Sequence, residues 1–347
     1  MRAAVFLGPE KMEVKEVNKP DVKEGEVLIR VNACAICGTD VRIYYHGQKN
    51  VSPPHIIGHE IAGTIEKTGG KVTGCNAGDR VTVVTSVGCG KCKFCKKGYY
   101  NLCVDTKAIG YYYQGGFAEY ICIPKESVNQ NSILKLPENV SFDAASIVEA
   151  LSCCINGQEY LNIEKDEIVV IFGCGPIGCM HAELAKAKGA SKIYMLDIAE
   201  NKLKLAERFP NIILINTGEK DPVRKILEET AGEGADVIIV AAGSKAAQEQ
   251  ALQLAAKKGR ISYFAGLPKD DPVIRFDSNI LHYKEVSVFG AFASYREQYQ
   301  KALELISEGR IDSQKLITHR FPLAEIVKGI ELVKAGKTLK VVVQVET

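Results

Sequence analysis

The sequence lacks several features that would set the protein apart from ordinary globular enzymes. No apolar run approaches the ~20 residues that a helix needs to cross a bilayer, so we expect no membrane association. The 347 residues carry a formal net charge of only +2, with no basic block, which argues against nucleic acid as a partner. The opening residues MRAAVFLGPEKMEV lack the features of a signal peptide, so we expect a cytoplasmic protein with reduced thiols.

Cysteine is too sparse for a disulfide scaffold, at 12 in 347 residues, but four cysteines are crowded into the stretch GCGKCKFCKKGYYNLC. Four soft ligands on one short loop can converge on a tetrahedral metal, and a shell of four sulfurs leaves no position open for substrate. We therefore predict a structural zinc lobe at about residues 88–104. An iron–sulfur cluster is the alternative, but the ferredoxin pattern would end in Cys-Pro after three residues, whereas seven precede the last cysteine here. The predicted ligands are Cys89, Cys92, Cys95 and Cys103.

The pattern of the chain changes near residue 150. Before that point, short strand-like runs such as AAVFL, EVLIRVNAC, IAGTIEKTG, RVTVVT and FAEYICIP are separated by turn residues, which favours a mostly β domain. After it, six apolar strands alternate with helices, one of which we predict at Lys245–Lys257. Such alternation is typical of a parallel sheet covered on both faces, so we predict an α/β protein with a doubly wound second domain.

We place the domain boundaries from these patterns. The second domain covers residues 151–291. Two further helices and the closing strand KVVVQV return to the first domain, which therefore comprises residues 1–150 and 292–347.

The first βα turn of the second domain carries a dinucleotide-binding pattern. Gly173, Gly175 and Gly178 follow the strand IVVIF and open a helix, which is the context that this pattern requires. Asp197 ends the next strand about twenty residues later, where its carboxylate can bind the ribose hydroxyls of NAD. A glycine turn without a dinucleotide is the alternative. We also expect cofactor contacts from Pro176, Ile177, Lys202 and Phe292.

A second metal constellation lies upstream of this turn. Cys37 in CGTD, His59 and Glu60 in GHE, and Glu149 in IVEALSCC supply one thiolate, one imidazole and two carboxylates. Each residue alone has a structural explanation, but the mixture is typical of a catalytic zinc with three protein ligands and an open position. Asp40 is a candidate acceptor for the imidazole of His59.

Together these motifs resemble the zinc-dependent medium-chain alcohol dehydrogenases, especially the polyol branch that includes sorbitol dehydrogenase. CGTD, GHE, GDRV, the four-cysteine lobe, GGFAEY, the glycine turn and ITHRFPL follow in the order that the family shows, over essentially the whole chain. The resemblance implies a GroES-like catalytic domain that holds two zinc ions, and a Rossmann domain for NAD. It also implies that Cys37, His59 and either Glu60 or Glu149 hold the catalytic zinc, and that Thr39 contacts the alcohol oxygen.

The sequence departs from the family pattern in three places. Arg42 replaces a proton-shuttling histidine and cannot act as a neutral base, so the relay would run through water, the ribose or His46. Ser294 and Tyr295 stand where sorbitol dehydrogenases carry an arginine and a tyrosine. Cys153 stands where other members carry a cysteine ligand; we favour a carboxylate over it.

The resemblance implies reversible, NAD-dependent oxidation of a secondary hydroxyl of a polyol, sugar alcohol or similar small polar alcohol to a ketone. L-threonine 3-dehydrogenase and 2,3-butanediol dehydrogenase activities are alternatives within the family. A non-catalytic zinc-binding module and a zinc-free quinone reductase are alternatives of other kinds. Because EVSVFGAF is an apolar strand at the sheet edge, we expect a homodimer or a homotetramer.

The remaining histidines and cysteines lack partners at ligand spacing. We expect them to be structural, buried or exposed without function. They are His55, His181, His282, His319, Cys34, Cys75, Cys122, Cys174 and Cys179.

Overall fold

The computed structural model describes residues 1–345 and divides the chain into two units. The first unit runs from Met1 to Ser152 and resumes at Ala293, and the second is Cys153–Phe292. The division falls within helix Val148–Glu159. No helix among the described residues combines the length and the apolar character that a membrane span requires.

The N-terminal part of the first unit is built mainly from strands, and the five runs singled out in the sequence all form strands. Its strands are β1 Arg2–Gly8, β2 Lys11–Glu16, β3 Val27–Ala35, β4 His55–Ile56, β5 Glu60–Thr68, β6 Arg80–Val83, β7 Ser86–Val87, β8 Lys107–Ala108, β9 Tyr120–Ile123 and β10 Ile133–Lys135. Its helices are α1 Gly38–His46, α2 Lys125–Val128, α3 Phe142–Ser146 and α4 Val148–Glu159.

The second unit is one parallel sheet of six strands with helices between them, as the alternation in the sequence predicts. The strands are β11 Ile168–Phe172, β12 Lys192–Asp197, β13 Ile213–Asn216, β14 Ala235–Val240, β15 Ala255–Tyr263 and β16 Ser287–Gly290. The helices are α5 Pro176–Ala187, α6 Glu200–Ala206, α7 Pro222–Glu229, α8 Lys245–Leu254 and α9 Ser278–Lys284.

The strand order of this sheet is β13-β12-β11-β14-β15-β16, the doubly wound order of a Rossmann fold. Its core consists of near-continuous apolar strands, and Val170, Ile238 and Ile261 are fully buried. The helix predicted over Lys245–Lys257 was too long, because Ala255 already pairs with Ala235 and begins β15.

The C-terminal segment returns to the first unit. It comprises α10 Arg296–Ser307, α11 Ser313–Leu316, β17 Ile317–Pro322, α12 Ile326–Lys334 and β18 Lys340–Gln344. The sequence predicted two helices and the closing strand; the structure adds the short α11 and β17.

Strand β18 completes the main sheet of the first unit. That sheet has the order β10-β6-β5-β3-β18-β17, with β9 also paired to β3. Because β18 lies antiparallel to β3, Val341 and Val343 of the tail pack in the same core as Val27 and Ile29. This pairing brings residues near the end of the chain beside the loop that follows β3.

Candidate functional site

The four cysteines of the lobe converge as predicted. Their sulfur atoms all lie within 4.8 Å of one another, and none forms a disulfide. The backbone N–H of Cys95 lowers the pKa of Cys92 to about 6, while burial raises the pKa of Cys95 to about 12. Four thiolates this close would repel one another without a cation, and four cysteine sulfurs fit a closed zinc shell. The ligands are Cys89, Cys92, Cys95 and Cys103.

The backbone before the lobe is held by Gln130. The amide of Gln130 donates to the carbonyl oxygen of Gly88 at 2.7 Å and accepts from its N–H at 3.1 Å. A Cβ at Gly88 would lie 2.6 Å from the sulfur of Cys95 and 2.8 Å from the ring of Tyr100. Glycine is therefore required at this position for the loop to close around its sulfurs.

The second constellation also converges, through Cys37, His59 and Glu60. One potential ligand atom from each residue lies within 4.8 Å of the others, close to the spacing of ligands around one zinc ion. Cys37 caps helix α1 after strand β3, Glu60 is the first residue of β5, and His59 directly precedes it. Because β3 and β5 are neighbours in the sheet, residues distant in sequence meet at one edge.

Asp40 connects two members of this cluster. Its Oδ1 lies 3.4 Å from Nδ1 of His59, and its Oδ2 accepts the backbone N–H of Cys37 at 2.9 Å. Burial disfavours protonation of His59, but Tyr111 and the Asp40 carboxylate favour it more strongly, so the pKa of His59 lies above its ordinary value. A carboxylate on Nδ1 leaves Nε2 as the nitrogen for a metal, which is the usual arrangement of metal-binding histidines.

Lys340 is a residue of this site that the sequence analysis missed. Its Nζ lies 2.6 Å and 2.5 Å from the two carboxylate oxygens of Glu60 and donates to the carbonyl oxygen of Ile36 at 3.0 Å. Both charged side chains are buried. Burial lowers the pKa of Lys340, but Glu60, with smaller contributions from Cys37 and Glu149, raises it by more, so the pKa lies above its ordinary value and the ammonium stays charged. The sequence feature that could have indicated this residue is a lysine at the start of the apolar strand KVVVQV.

Glu149 and Cys153 lie one turn apart on α4. Among residues 1–345, the cluster of donor atoms within 4.8 Å comprises Cys37, His59 and Glu60, without Glu149 or Cys153. The charge of Glu149 nevertheless reaches the site, because it contributes, behind larger effects of burial, to the pKa of both Tyr111 and Lys340.

Helix α1 carries the candidate relay residues at opposite ends. Thr39 is partly buried one residue after the start of the helix, close to Cys37 in sequence. His46 is the exposed last residue of the helix, which separates it from Thr39 by about 10 Å along the axis. Arg42 donates to Oε1 of Gln48 at 3.0 Å. The structure thus brings Thr39, but not His46, to the neighbourhood of Cys37.

A buried hydrogen-bond chain supports His59 from the C-terminal segment. Thr85 donates through its hydroxyl to the carbonyl oxygen of His59 at 3.2 Å, and its hydroxyl lies 3.0 Å from that of Tyr299 on α10. The backbone N–H of Thr85 also donates to the Tyr299 hydroxyl at 3.2 Å. Nothing local in the sequence predicts this contact.

The glycine turn has the geometry of a phosphate-binding turn. Gly173 has φ +110°, a conformation that L side chains rarely adopt, and a Cβ at Gly178 would collide with the carbonyl oxygen of Gly173. Gly175 caps α5, with Pro176 as the first helical residue, and a Cβ there would meet open space. The N-terminus of α5 is therefore open to an anion.

Asp197 ends β12 beside this turn. Its Oδ2 accepts the N–H of Cys174 at 2.9 Å, and its Oδ1 accepts the N–H of Ala199 at 2.9 Å. These bonds keep the carboxylate at the carboxyl edge of the sheet, where a ribose would bind. Lys202 is partly buried on α6, and Phe292 is 68% exposed.

Ser294 and Tyr295 occupy positions that differ from the family pattern. Ser294 is buried, and its hydroxyl lies 2.7 Å from that of Ser152. The ring of Tyr295 packs edge-on against that of Tyr99 in the cysteine lobe, with centroids 5.2 Å apart. Both side chains are thus engaged within the first unit.

A sheet of Rossmann order joined to a mostly β unit with two clusters of metal-ligand type defines a zinc-binding dehydrogenase. Two family models match the chain: the alcohol dehydrogenase GroES-like domain over residues 23–138 and the zinc-binding dehydrogenase over residues 176–308. The chain belongs to the zinc-dependent medium-chain alcohol dehydrogenases, and it is an oxidoreductase.

The proteins most relevant for comparison are dehydrogenases of different substrates. An L-threonine 3-dehydrogenase of Bacillus velezensis is 34% identical over 95% of this chain and 94% of its own length. A sorbitol dehydrogenase of Halalkalibacterium halodurans is 34% identical over 94% of each chain. The solved alcohol dehydrogenase TADH from Thermus sp. ATN1 superposes with a TM-score of 0.91 at 32% identity, covering 100% of both chains.

Proposed function

We propose that the protein oxidises a secondary hydroxyl of a small polar alcohol to a ketone, reversibly, with NAD as the acceptor and zinc as the Lewis acid. The observation that carries this proposal is the cluster of Cys37 and His59 with a carboxylate, because three protein ligands leave one zinc position open for the alcohol oxygen. Zinc polarises that oxygen when bound, and NAD accepts the hydride.

We propose Glu149 as the third protein ligand. Glu60 already shares its charge with Lys340 at 2.5 Å and 2.6 Å, so turning it to a metal would leave a buried ammonium without its partner. Glu149 is a carboxylate whose charge is felt by Tyr111, and the ring of Tyr111 lies beside that of His59. In this arrangement the carboxylate of Glu60 and the ammonium of Lys340 neutralise each other next to the zinc site.

The side chains of the chain have separate tasks in this reaction. Thr39 would accept the hydroxyl proton of the substrate and pass it to solvent, because its own hydroxyl can accept and donate. Asp40 holds the His59 ring and the start of α1 in place. Asp197 would accept hydrogen bonds from the adenosine ribose, and its negative charge disfavours the 2′-phosphate of NADP.

The substrate class has two candidates. Polyols or sugar alcohols are the first, as the resemblance implies. The second comprises L-threonine and 2,3-butanediol, and Ser294 favours it, because a buried serine beside Ser152 stands where sorbitol dehydrogenases carry an arginine. All these compounds share a secondary hydroxyl next to a carbon that carries oxygen or nitrogen.

Initial rates of NAD reduction test the proposal. We expect oxidation of at least one compound among sorbitol, L-threonine and 2,3-butanediol, slower rates with NADP, and loss of activity after chelation that zinc restores. Full activity in protein shown by elemental analysis to contain no zinc would contradict the mechanism.

The ligand assignment is tested by two isosteric variants. Glu149→Gln should lose about one zinc per chain, whereas Glu60→Gln should keep more of its zinc. The reverse order would identify Glu60 as the ligand.

We also propose that the protein is a homodimer or a homotetramer. Strand β16 pairs only with β15 among the described strands, so its other edge presents unpaired backbone groups. Light scattering that shows a monomer at micromolar concentration would contradict this.

A further inference from the structure

Tyr111 lies against the candidate zinc ligands with a free hydroxyl. Its ring centroid is 5.1 Å from that of His59, and the two planes meet at 42°. Within residues 1–345, its phenol oxygen has no hydrogen-bond partner and is not sealed in the core, since the side chain is only partly buried. A hydroxyl of this kind, next to a metal site, is available to a bound molecule.

The backbone fixes the position of Tyr111. Gly110 has φ +82°, and a Cβ there would lie 2.8 Å from the carbonyl oxygen of Gly58 and 3.1 Å from Cβ of His59. At the other end of the loop, the N–H of Gly116 donates to the same Gly58 oxygen at 2.8 Å. The loop is thus packed directly on the segment that carries His59, and the tyrosine cannot move away without breaking these contacts.

The surroundings of the phenol show which space it faces. Cys37, Asp40, His59 and Glu149 all lie near enough to the phenol to interact with it electrostatically. These residues belong to three separate segments, which all supply candidate groups of the zinc site. A phenol hydroxyl at this place can both donate and accept a hydrogen bond.

The two following tyrosines do not share this position. Tyr112 is 56% exposed, with the ammonium of Lys107 4.6 Å from its ring centroid. Tyr113 packs edge-on against Tyr112, with centroids 5.1 Å apart. Tyr112 is therefore a matched control, because it lies next in the chain and differs in its contacts.

We propose that Tyr111 is a specificity-determining residue that hydrogen-bonds the oxygen or nitrogen on the carbon next to the reacting carbinol. The enzyme would thereby prefer vicinal diols or vicinal amino alcohols to simple secondary alcohols. A tyrosine hydroxyl suits both classes, because it can donate to a hydroxyl and accept from an ammonium. This inference rests on the proposed function, whose zinc position sets where the carbinol binds.

The test compares substrate pairs that differ by the neighbouring group alone. The pairs are 2,3-butanediol with 2-butanol and L-threonine with 3-hydroxybutanoate. We choose the pair that the wild type oxidises faster and measure kcat/KM for both of its members. The proteins compared are wild type, Tyr111→Phe and Tyr112→Phe. We expect the ratio of kcat/KM between pair members to fall about tenfold in Tyr111→Phe, the effect of one hydrogen bond. In Tyr112→Phe the ratio should stay within about twofold.

The outcomes separate this inference from the function on which it rests. If Tyr111→Phe lowers kcat/KM by the same factor for both members of a pair, Tyr111 only packs against His59, and the inference is wrong while the function stands. If Tyr112→Phe shifts the ratio equally, the effect is not specific to Tyr111. A wild type loaded with zinc that oxidises none of the four compounds, nor sorbitol, overturns the proposed function and the inference with it.

Discussion

His181 should make the stability of the protein fall as the pH falls below 7. The side chain is fully buried on α5, its Nδ1 lies 3.2 Å from Nε2 of Gln158, and its ring packs edge-on against Phe264 with centroids 4.7 Å apart. Burial lowers the pKa of His181 to about 3, and the charge of Lys188 adds to this shift. The amide of Gln158 can only donate to Nδ1, because it also donates to the carbonyl oxygen of His181 at 2.9 Å. The folded protein therefore holds a neutral imidazole.

The sign and the size of the effect follow from linkage. Because the folded state binds the proton less readily than the unfolded state, the contribution is complete above pH 6.5 and declines as the pH falls towards 3. The full difference corresponds to about 5 kcal/mol of unfolding free energy. Between pH 7.5 and pH 5.5 only the unfolded pKa matters, and the expected loss is about 1.4 kcal/mol.

The assay is urea unfolding followed by far-UV circular dichroism, at pH 7.5 and pH 5.5, for wild type and His181→Leu. Zinc ligands also titrate in this range, but their contribution is common to both proteins and cancels in the difference. We expect wild type to lose about 1.4 kcal/mol more than His181→Leu between the two pH values. His282→Gln, at an exposed site on α9, is the control and should behave like wild type. Equal losses in wild type and His181→Leu would refute the reasoning.

Two further predictions concern the buried ion pair and the glycine turn. Lys340→Met should lower the unfolding free energy by about 3 to 5 kcal/mol, since it leaves the buried Glu60 carboxylate without its cation. Lys340→Arg keeps a cation and should retain most of that stability. Urea unfolding measures both variants, and a loss below about 1 kcal/mol in Lys340→Met would contradict the role of the ion pair. Gly178→Ala should lower the melting temperature, because its Cβ collides with backbone, whereas Gly175→Ala should keep the melting temperature and weaken NAD binding. Thermal unfolding measures the stability of both variants, and NAD titration measures their cofactor binding. Equal melting temperatures for Gly178→Ala and Gly175→Ala would contradict the predicted collision at Gly178.

Motifs whose residues are close in sequence could be predicted without the structure. The four cysteines of the lobe lie on one loop, so their spacing alone limits how far apart their sulfurs can be. The glycine turn and Asp197 belong to one βαβ unit, and alternation of apolar strands with helices predicts a parallel sheet before any contact is known. Cys37, His59 and Glu60 could be named because their residue types match one chemistry and one family pattern.

Contacts between distant parts of the chain were decided by the tertiary structure alone. Lys340 reaches Glu60 across 280 positions because β18 inserts beside β3, and Tyr299 reaches Thr85 across 214 positions. No periodicity or spacing encodes such pairs, since each residue alone looks like an ordinary strand or helix position. They decide that Glu60 is paired with a buried lysine and how the backbone of His59 is held.

The sequence by itself thus determined the α/β fold class, the zinc lobe, the dinucleotide turn and the membership of a dehydrogenase family, because each depends on local patterns. The tertiary structure decided the partner of Glu60 and the placement of Tyr111 against His59. Those features depend on which strands and loops lie next to one another, and the dense packing of the interior then fixes which side chains are in contact.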